Sequence, residues 1–307
     1  MKYIDLHAHT NHSDGVCSVD EVLQTAQAAG LDLFAISDHN TVSAYGELAD
    51  CRPLFSGAIV PATELSVSFR GEAVEVLGYG IDVAQMDTYI KSHYMTLMEK
   101  KRAEAGLLAK ELSAKGVKLD PAFVEMAMEE PDRIENFATH GSRPAYLDQI
   151  RRFSENVRFF ESEEDFYGMD RHRWYRYYLS NPNSPLYVDQ TVFFPTLRAA
   201  VEEIHRQGGL AFLAHAFVYS PMIVQSLDAL VAETGVDGLE CHYGTFTPEQ
   251  KQFMSEYCDK HGLYKSGGSD FHGLSFRPNN FMGRSADEKI EFSLVEPWFD
   301  KIKDKLM

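Results

Sequence analysis

The sequence predicts an α/β fold that is interrupted by a helical insertion. In residues 1–90 and 190–307, short apolar runs alternate with amphipathic segments, whereas residues 91–189 carry amphipathic segments without such runs. Short apolar runs between turn residues are typical of buried strands, and their alternation with helices indicates a parallel sheet, open or closed. The predicted organisation is one α/β domain built from both flanks, 1–90 and 190–307, with a helical subdomain inserted at 91–189.

The N-terminal flank begins with a strand, a helix and a second strand. Its predicted strands are the apolar runs at 3–6, 33–36, 59–62 and 74–79. Between the first two, Ser18 and Glu21 have the spacing of a capping box, in which each side chain bonds the backbone N–H of the other residue. Gly30 can adopt the left-handed conformation that ends many helices. A helix is therefore predicted from Ser18 to Gly30.

The C-terminal flank resumes the same alternation. Helices are predicted at 196–207, 227–234 and 247–262, and strands at 210–214, at 238–239 and from 263 onwards. The glycines at 208–209 and Gly262 separate two of these helices from the strands that follow them. These strands are expected to join the sheet that the N-terminal flank begins.

The insertion is predicted to be helical. A long amphipathic helix at 95–115 ends at Gly116, and further helical segments are predicted at 144–153 and 166–179, before a loop with Pro182 and Pro185. Residues 171–178 combine basic and aromatic side chains, a composition that can line a nucleotide or RNA path. A helix with a solvated basic face and an aromatic core face also explains them, and this second interpretation is preferred.

The composition excludes several classes of protein. The chain has 307 residues, 44% of them hydrophobic, and no run approaches the roughly 18 consecutive apolar residues of a membrane span. The first residues read as a strand rather than as a signal peptide, so a cytoplasmic protein without membrane association is expected. Four cysteines without C-x-x-C spacing argue against a thiolate zinc site and against a disulfide scaffold. The net charge of −17 would repel long duplex nucleic acid but is compatible with small anionic substrates.

Metal-ligand side chains follow six of the apolar runs. They are His7, His9 and Asp14 after the run at 3–6, Asp38 and His39 after 33–36, Glu64 after 59–62, His215 after 210–214, Glu240 and His242 after 238–239, and Asp270 and His272 after the run that begins at 263. In a parallel barrel, the carboxyl ends of the strands meet at one face, where the active site normally lies. Capping explains a single aspartate in such a place, but it does not explain six runs that end alike. The pattern therefore predicts one shared site.

The local spacing of these residues suits metal binding. His7 and His9 are two residues apart, as are Asp270 and His272, and side chains at this spacing on an extended chain point the same way. Imidazole and carboxylate ligands without thiolate favour Mn²⁺, Fe²⁺ or Zn²⁺. Phosphatases with two metals hold them about 3.5–4 Å apart. Two or three divalent cations in one site are therefore predicted.

These residues occur in an ordered set of motifs that resembles a known family. The motifs are the segments at 5–10, 13–15, 37–40, 214–215 and 268–272. They are similar to the successive motifs of the polymerase and histidinol phosphatase (PHP) family, on both flanks of the chain. Within this family, the chain resembles small phosphoesterases that act on nucleotide monophosphates or 3′,5′-bisphosphates and carry a helical insertion. The resemblance implies a distorted TIM-like (β/α)7 barrel and a metal-dependent phosphoric ester hydrolase.

The resemblance also implies a role for each ligand. The first metal would be held by His7, His9, Glu64 and Asp270, the second by Asp14, His39 and His272, and a third by His215 with Glu64 as the bridge. At the remaining position of the third site the family usually has a histidine, and here Glu75 stands in its place. A carboxylate there favours a harder ion or a lower occupancy, so both two and three metals remain open.

The resemblance further implies a catalytic set. Arg143 matches an arginine that reaches the substrate phosphate from the insertion, which would act as a cap over the substrate. Arg143, Glu64 and His272 are the predicted catalytic residues. Hydroxide from a metal-activated water is expected to attack the phosphorus, while the metals stabilise the developing charge.

Four more residues are expected near the reaction. His12 and His242 are candidates, by position alone, for binding the phosphate or protonating the leaving group. Asp38 and Glu240 are expected to orient the metal ligands through hydrogen bonds.

The predicted function is hydrolysis of a phosphate monoester of a small metabolite, with a nucleotide of the AMP or 3′,5′-bisphosphate type preferred. The alternatives are a 5′–3′ exonuclease on short RNA or DNA, a histidinol-phosphate phosphatase, and a non-catalytic metal-binding scaffold. The acidic net charge argues against long polymers but not against short ones. The helical insertion argues against histidinol phosphate, and the intact ligand set argues against the scaffold.

Overall fold

The chain folds into two compact units, each with its own hydrophobic core. A computed structural model describes residues 1–307 and the side chains of all of them except His172 and Arg176. One unit comprises Met1–Tyr94 together with Phe194–Met307, and the other comprises Met95–Phe193. The first is called the barrel unit below and the second the helical unit. Of the basic and aromatic segment at 171–178, the side chains of His172 and Arg176 lie outside the described residues.

The barrel unit contains a seven-stranded sheet whose strands follow the order of the sequence. The strands are β1 (Ile4–Asp5), β2 (Leu33–Ile36), β3 (Ala58–Phe69), β4 (Glu72–Tyr79), β5 (Leu210–Leu213), β6 (Gly238–Tyr243) and β7 (Tyr264–Gly268). The first and last strands meet, because Leu6 N–H donates to the carbonyl of Gly267 at 3.2 Å and Asp270 N–H to that of His7 at 2.8 Å. The sheet thus nearly closes on itself, and the predicted α/β barrel is confirmed.

One strand departs from the predicted parallel arrangement. β4 pairs antiparallel with both β3 and β5, whereas the other neighbouring pairs are parallel. The reason is the connection from β3, which consists of Arg70 and Gly71, both with positive φ. Such a two-residue turn makes a hairpin, and a parallel crossover would need a dozen or more residues. As a result, the beginning of β4, including Glu75, lies at the same end of the barrel as the carboxyl ends of the parallel strands.

Helices surround the sheet in this unit. They are Val19–Ala29, Leu48–Cys51, Val83–His93, Leu197–Arg206, Pro221–Gln225, Leu227–Thr234, Pro248–His261 and Glu296–Phe299, with a small hairpin at Arg284–Ser285 and Glu288–Lys289. The predicted capping box is present, since Ser18 N–H donates to Oε2 of Glu21 at 2.9 Å. Gly30 ends that helix in the left-handed conformation, with φ 72°. The local signals therefore predicted this helix correctly at both ends.

Side chains of the strands alternate between two apolar layers. Leu33 and Ala35 of β2 pack in the barrel interior with Val60, while Phe34 and Ile36 pack in the layer that includes the surrounding helices. Burying an aliphatic or aromatic side chain contributes about 1.5–3 kcal/mol. Because both faces of the sheet are buried, the strands read as continuous apolar runs and the site can form only where they end.

The helical unit is built around an aromatic core. Its helices are Leu97–Ala114, Pro121–Glu129, Phe137–His140, Arg143–Arg151, Glu163–Gly168 and Arg171–Arg173, followed by a π-helix at Trp174–Leu179. Tyr146 and Trp174 are fully buried in this core. The helix predicted at 166–179 is interrupted, because Met169 is extended and Asp170 begins a new turn by accepting the N–H of Arg173 at 2.7 Å.

None of the helices in the described chain is both long enough and apolar enough to cross a membrane.

Candidate metal centre

The nine predicted metal ligands come together at one end of the barrel. They fall into four overlapping groups: His9, Asp14, His39 and His272; His7, Glu64 and His215; His7, His9 and Asp270; and His39, Glu64 and Glu75. Within each group, the candidate ligand atoms all lie within 4.8 Å of one another. Residues from every part of the barrel sheet except β6 therefore contribute directly to a single cluster.

Glu64 lies at the centre of this cluster and is completely buried. Its Oε2 lies 3.1 Å from Nε2 of His7, 3.3 Å from Nε2 of His9 and 3.1 Å from Nδ1 of His39. Its other oxygen, Oε1, lies 2.9 Å from Nε2 of His215. The two oxygens thus face different histidines, which is the arrangement expected of a carboxylate shared between metals.

Asp14 and Asp270 extend the cluster on either side of His9. Oδ1 of Asp270 lies 3.1 Å from Nε2 of His9 and 3.4 Å from Nε2 of His7. Oδ1 of Asp14 lies 3.1 Å from Nε2 of His272, and its Oδ2 lies 3.7 Å from Nε2 of His39. Asp270 is buried, whereas the side chain of Asp14 is 48% exposed. Solvent therefore reaches the cluster most at Asp14, and it also reaches His39 and Glu75, whose side chains are 23% and 25% exposed.

Glu75 joins the cluster where the family pattern has a histidine. Its Oε1 lies 3.3 Å from Nδ1 of His39, and its Oε2 lies 3.4 Å from Nε2 of His215. The antiparallel β4 places Glu75 there, and the backbone N–H of Glu75 donates to Oη of Tyr219 at 2.8 Å. The carboxylate of Glu75 could therefore bind a metal beside His39, a metal beside His215, or both.

The polar atoms of the cluster fit metal ions. Among the described side chains, those buried without a hydrogen-bond partner include Nε2 of His7, His9 and His272, Nδ1 of His39 and His215, and Oε2 of Glu64. Several of these lie 3.1–3.4 Å from an opposite charge, but at angles unsuited to hydrogen bonds. Leaving such an atom without a partner costs about 1–3 kcal/mol. Imidazole and carboxylate lone pairs that converge in this way are satisfied by a shared cation.

The acidic residues alter the titration of the imidazoles. Burial lowers the pKa of His9, but Asp270 and Glu64 more than offset this effect and raise it to about 10. In spite of burial, Glu64 and Glu75 likewise raise the pKa of His215 to about 9. The pKa of Glu75 is itself raised, first by burial and then by the charge of Glu64. The acids thus require positive charge nearby, which either imidazole protons or divalent cations supply.

Two of the candidate ligands have strained backbone conformations. Asp270 has a φ of 55° and His215 a φ of 24°, values in the left-handed region that non-glycine residues rarely adopt. Such conformations cost about 1–3 kcal/mol each and persist where surrounding contacts enforce them. At His215, one such contact is the hydrogen bond from its N–H to Oε2 of Glu240 at 2.9 Å. The strain therefore indicates that ligand placement is maintained at the expense of stability.

Glu240 contacts two of the candidate ligands at once. Its Oε1 lies 2.9 Å from Nδ1 of His7, and its Oε2 accepts the N–H of His215. Because Nδ1 of His7 bonds the carboxylate, Nε2 faces the cluster. Carboxylates in this position fix the ring orientation of a ligating histidine and make it more basic.

Replacing Glu240 with glutamine should therefore weaken metal binding. We expect metal affinity to fall by about 10–100-fold, the usual effect of removing such a partner, while the fold is retained. Metal titration of the purified variant measures this directly. Glu256→Gln is a matched control, because Glu256 is exposed and accepts only a hydrogen bond from Gln252 on the same helix among its described contacts. Equal affinities in the two variants would contradict the assigned role.

Asp38 orients the loop that carries Asp14. Its Oδ1 accepts the N–H of Thr10 at 2.7 Å and the hydroxyl of Ser13 at 2.6 Å, and its Oδ2 accepts the hydroxyl of Thr10 at 2.6 Å. Asp38 is buried and is not a member of any metal-ligand group. Asp38 therefore holds the loop of Asp14 through hydrogen bonds and does not lie among the candidate metal ligands.

Three supporting residues were not predicted. Asp5, on β1, accepts the N–H and hydroxyl of Ser269 at 3.0 and 2.6 Å and so ties β1 to the Asp270 segment. Tyr243 donates its hydroxyl to Oδ2 of Asp270 at 2.8 Å, and Arg277 contacts the same oxygen. A charged residue inside an apolar strand was the available signal for Asp5, because a buried carboxylate must be paired.

Arg143 lies in the helical unit, where other residues hold its side chain. Its Nε and Nη2 donate to the two carboxylate oxygens of Glu104, both at 2.7 Å, and Nη2 also donates to Oε1 of Gln190 at 2.8 Å. The guanidinium lies 4.0 Å from the ring centre of Tyr175. Two parallel N–H donors of this guanidinium are therefore already bonded to Glu104.

The structure does not bring His12 and His242 into the metal-ligand groups. Nε2 of His12 lies 3.0 Å from Oε1 of Glu47. The placement of His242 at the site is wrong, because a β-bulge after Glu240 breaks the alternation that would turn both side chains the same way. The pKa of His242 is lowered first by burial and then by the positive charge of Lys251, not by any metal ligand.

Known proteins share both the sequence pattern and the fold. The sequence profile of the PHP domain family matches residues 5–139 of this chain. The chain is 27% identical over 275 residues to the 3′,5′-nucleoside bisphosphate phosphatase of Chromobacterium violaceum, covering 89% of this chain and 88% of that protein. It is 26% identical over 277 residues to the 5′-3′ exoribonuclease of Haemophilus influenzae, covering 88% and 90%.

A solved structure shows the same fold. An amidohydrolase from Chromobacterium violaceum, with bound sulfate and no metal, aligns with a TM-score of 0.64 and 24% identity, covering 99% of this chain and 97% of that one. The alignment supports the nearly closed barrel described above. The domain match, the similar phosphatase and exoribonuclease, and the converging ligands lead to one conclusion: the chain carries a PHP domain and is a metal-dependent phosphoesterase.

Proposed function

We propose that this phosphoesterase hydrolyses a phosphate monoester of a small nucleotide, of the AMP or 3′,5′-bisphosphate type, with two or three divalent cations. The observation that carries this proposal is the position of Glu64, whose two oxygens face four histidines that follow three different strands. One shared carboxylate among several imidazoles is the donor arrangement of multi-metal phosphatases. The name of the similar bisphosphate phosphatase supports the nucleotide class of substrate.

The proposed cations are Mn²⁺, Fe²⁺ or Zn²⁺. The donor set contains imidazole and carboxylate without thiolate, which suits these ions. His7, His9, Glu64 and Asp270 would hold one ion, and Asp14, His39 and His272 a second. His215 and Glu75, with Glu64, would hold a third. Because Glu75 supplies oxygen instead of nitrogen, the third position would favour the harder of these ions.

When bound, the cations would activate a water molecule near neutral pH and stabilise charge on the phosphate. The residues of the chain would prepare this chemistry. Glu240 keeps Nε2 of His7 directed into the cluster, and Asp38 holds the loop of Asp14. The exposed side of the cluster, at Asp14, would admit the substrate. Burial of His7, His9, Glu64, His215, Asp270 and His272 keeps these ligands in a medium of low polarity, where electrostatic stabilisation is strongest.

Arg143 is proposed to bind the substrate phosphate from the helical unit. Glu104 engages Nε and Nη2, so the substrate would have to be bound through Nη1. The side chain is 30% exposed. Glu104, Gln190 and the ring of Tyr175 would hold the guanidinium in a fixed plane, which reduces the entropy lost when an anion binds.

A second candidate is 5′–3′ exonuclease activity on short oligonucleotides. It is favoured by the name of the similar exoribonuclease, which matches most of the chain. Both activities break a phosphate ester bond, so the same metal centre would serve either. The net charge of −17 opposes long duplex nucleic acid, which is not a proposed partner.

A substrate panel on metal-loaded protein tests the proposal. The panel contains AMP, 3′,5′-nucleoside bisphosphates, histidinol phosphate and short 5′-phosphorylated RNA and DNA, and released phosphate and shortened oligonucleotides are measured separately. We expect phosphate release to be fastest from the mononucleotides. Cleavage confined to oligonucleotides would favour the exonuclease, and preference for histidinol phosphate would overturn the nucleotide assignment. Failure of every substrate with fully metallated protein would contradict both candidates.

A further inference from the structure

Arg277 lies on the loop that follows the last metal ligands. Its N–H donates to the carbonyl of Gly273 at 2.9 Å, which makes a tight turn. Nearby on this loop, Nδ2 of Asn280 donates to the carbonyls of Ser269 and Asp270 at 3.0 and 3.3 Å. The loop is therefore attached to the ligand-bearing segment, and the position of Arg277 is set by the metal centre.

The guanidinium of Arg277 contacts Asp270 from outside the cluster. Nη1 bonds Oδ2 of Asp270, and Tyr243 donates to the same oxygen. The other oxygen, Oδ1, faces Nε2 of His9 at 3.1 Å. Asp270 thus divides its two oxygens between the metal-binding side and an arginine, and the arginine stands next to the metals without occupying a ligand position.

The rest of the guanidinium is available. The side chain is 35% exposed, and among the described side chains no partner other than Asp270 is found for its N–H groups. Its charge also interacts with that of Asp14, a ligand from a different metal group. The cation therefore stands near the solvent-exposed side of the cluster, with N–H donors to spare.

A purely structural ion pair explains this position poorly. Oδ1 of Asp270 already faces Nε2 of His7 and of His9 at 3.4 and 3.1 Å, where either imidazole protons or a bound metal would offset the charge of Asp270. A permanent positive charge beside bound cations repels them and weakens their binding. The weaker binding of the cations is compensated if a substrate anion binds both to them and to Arg277. A guanidinium next to metal ions is the usual means of binding a phosphate oxygen.

We propose that Arg277 binds an oxygen of the substrate phosphate and is a second phosphate-binding arginine, supplied by the barrel unit itself. This inference rests on the proposed phosphoesterase function. It adds a substrate contact whose position relative to the metal ligands is set by the fold of one unit. It also gives Asp270 two tasks, since the same carboxylate holds a metal through one oxygen and orients Arg277 through the other.

The test uses the full chain loaded with metal and the variants Arg277→Ala, Arg277→Lys and Arg284→Ala. Arg284 is a matched control, because it lies shortly after the same loop and donates to the carbonyl of Asp287. Metal content, kcat and KM for the best mononucleotide, and inhibition by inorganic phosphate are measured for each. Binding of inorganic phosphate to the metal-loaded protein is also measured by calorimetry, which requires no turnover.

We expect Arg277→Ala to keep its metals and to lose about 10²–10³-fold in kcat/KM. Phosphate should inhibit and bind this variant about tenfold or more weakly. Added guanidine should restore part of its activity, and Arg277→Lys should fall between wild type and the alanine variant. Arg284→Ala should resemble wild type throughout.

Two results would overturn the inference. One is phosphate binding that Arg277→Ala leaves unchanged. The other is an activity loss that matches a loss of metal, which would make Arg277 only a support for Asp270. If wild type releases no phosphate from any substrate, the proposed function fails. The calorimetric comparison of wild type and Arg277→Ala then still decides the role of Arg277.

Discussion

Glu64→Gln should lose bound metal and lose at least about 10²–10³-fold in kcat/KM, the largest effect expected of any single substitution here. The amide keeps the size of the side chain but removes its negative charge. It also turns one oxygen into an NH₂ group, which cannot ligate a cation. Because the two oxygens of Glu64 face His7, His9, His39 and His215, one change disturbs every metal that Glu64 shares.

Metal content and steady-state kinetics of the purified variant measure this prediction. Glu256→Gln serves as the control, because it makes the same chemical change on an exposed helix position. Circular dichroism establishes that both variants are folded. A folded Glu64→Gln protein with full metal content and wild-type turnover would show that Glu64 is not the shared ligand.

Removing the metals from wild type should abolish activity and lower stability without unfolding the chain. Ligands that bind only the native state stabilise it by about 2.7 kcal/mol when present at 100 times their dissociation constant. The fold should survive, because the acids of the site raise the pKa values of His9 and His215 to about 10 and about 9, so that protonated imidazoles replace part of the lost charge. The apolar layers of the barrel do not depend on the metals.

Dialysis against a chelator, followed by thermal unfolding and activity assays, tests this expectation. Activity should return when Mn²⁺, Fe²⁺ or Zn²⁺ is added back one at a time, and the ion that restores most activity identifies the preferred metal. Treatment with chelator and removal of the chelator without added metal is the control. Full activity in protein shown to be free of metal would contradict the assignment.

Much of the barrel could be predicted from local signals. The strand at Leu33–Ile36 is a continuous apolar run, because both of its faces are buried. The helix from Val19 to Ala29 is bounded by a capping box and a left-handed glycine. Each of these signals is contained within a few residues, so no knowledge of distant contacts is needed to read it.

The predictions failed where distant contacts decide the structure. β3 was expected to end at Ala62, but it continues to Phe69, because β4 replaces β2 as its partner from Ala62 onwards. The same hairpin reverses β4 and brings Glu75 to the metal centre. The Arg70-Gly71 turn was a local sign of this hairpin, and it was not recognised in the sequence.

The residues of the candidate metal cluster were more predictable than the residues that support them. A ligand must be a histidine or an acid close to a strand end, which is a narrow pattern. By contrast, Tyr243 and Arg277 contact the site at Asp270, and nothing in their own neighbourhood in sequence marks them. His242 shows the opposite error, since its spacing from Glu240 suggested a shared direction that the β-bulge removes.

The central claim is that Glu64 bridges cations at the end of the barrel, and a crystal structure of the metal-loaded protein tests it most directly. Anomalous scattering locates the ions independently of the protein atoms. We predict two or three peaks within about 2.0–2.2 Å of histidine nitrogens and carboxylate oxygens, with Glu64 coordinating at least two of them. Ions bound elsewhere, or a single ion that Glu64 does not contact in protein of full metal content and activity, would contradict the account.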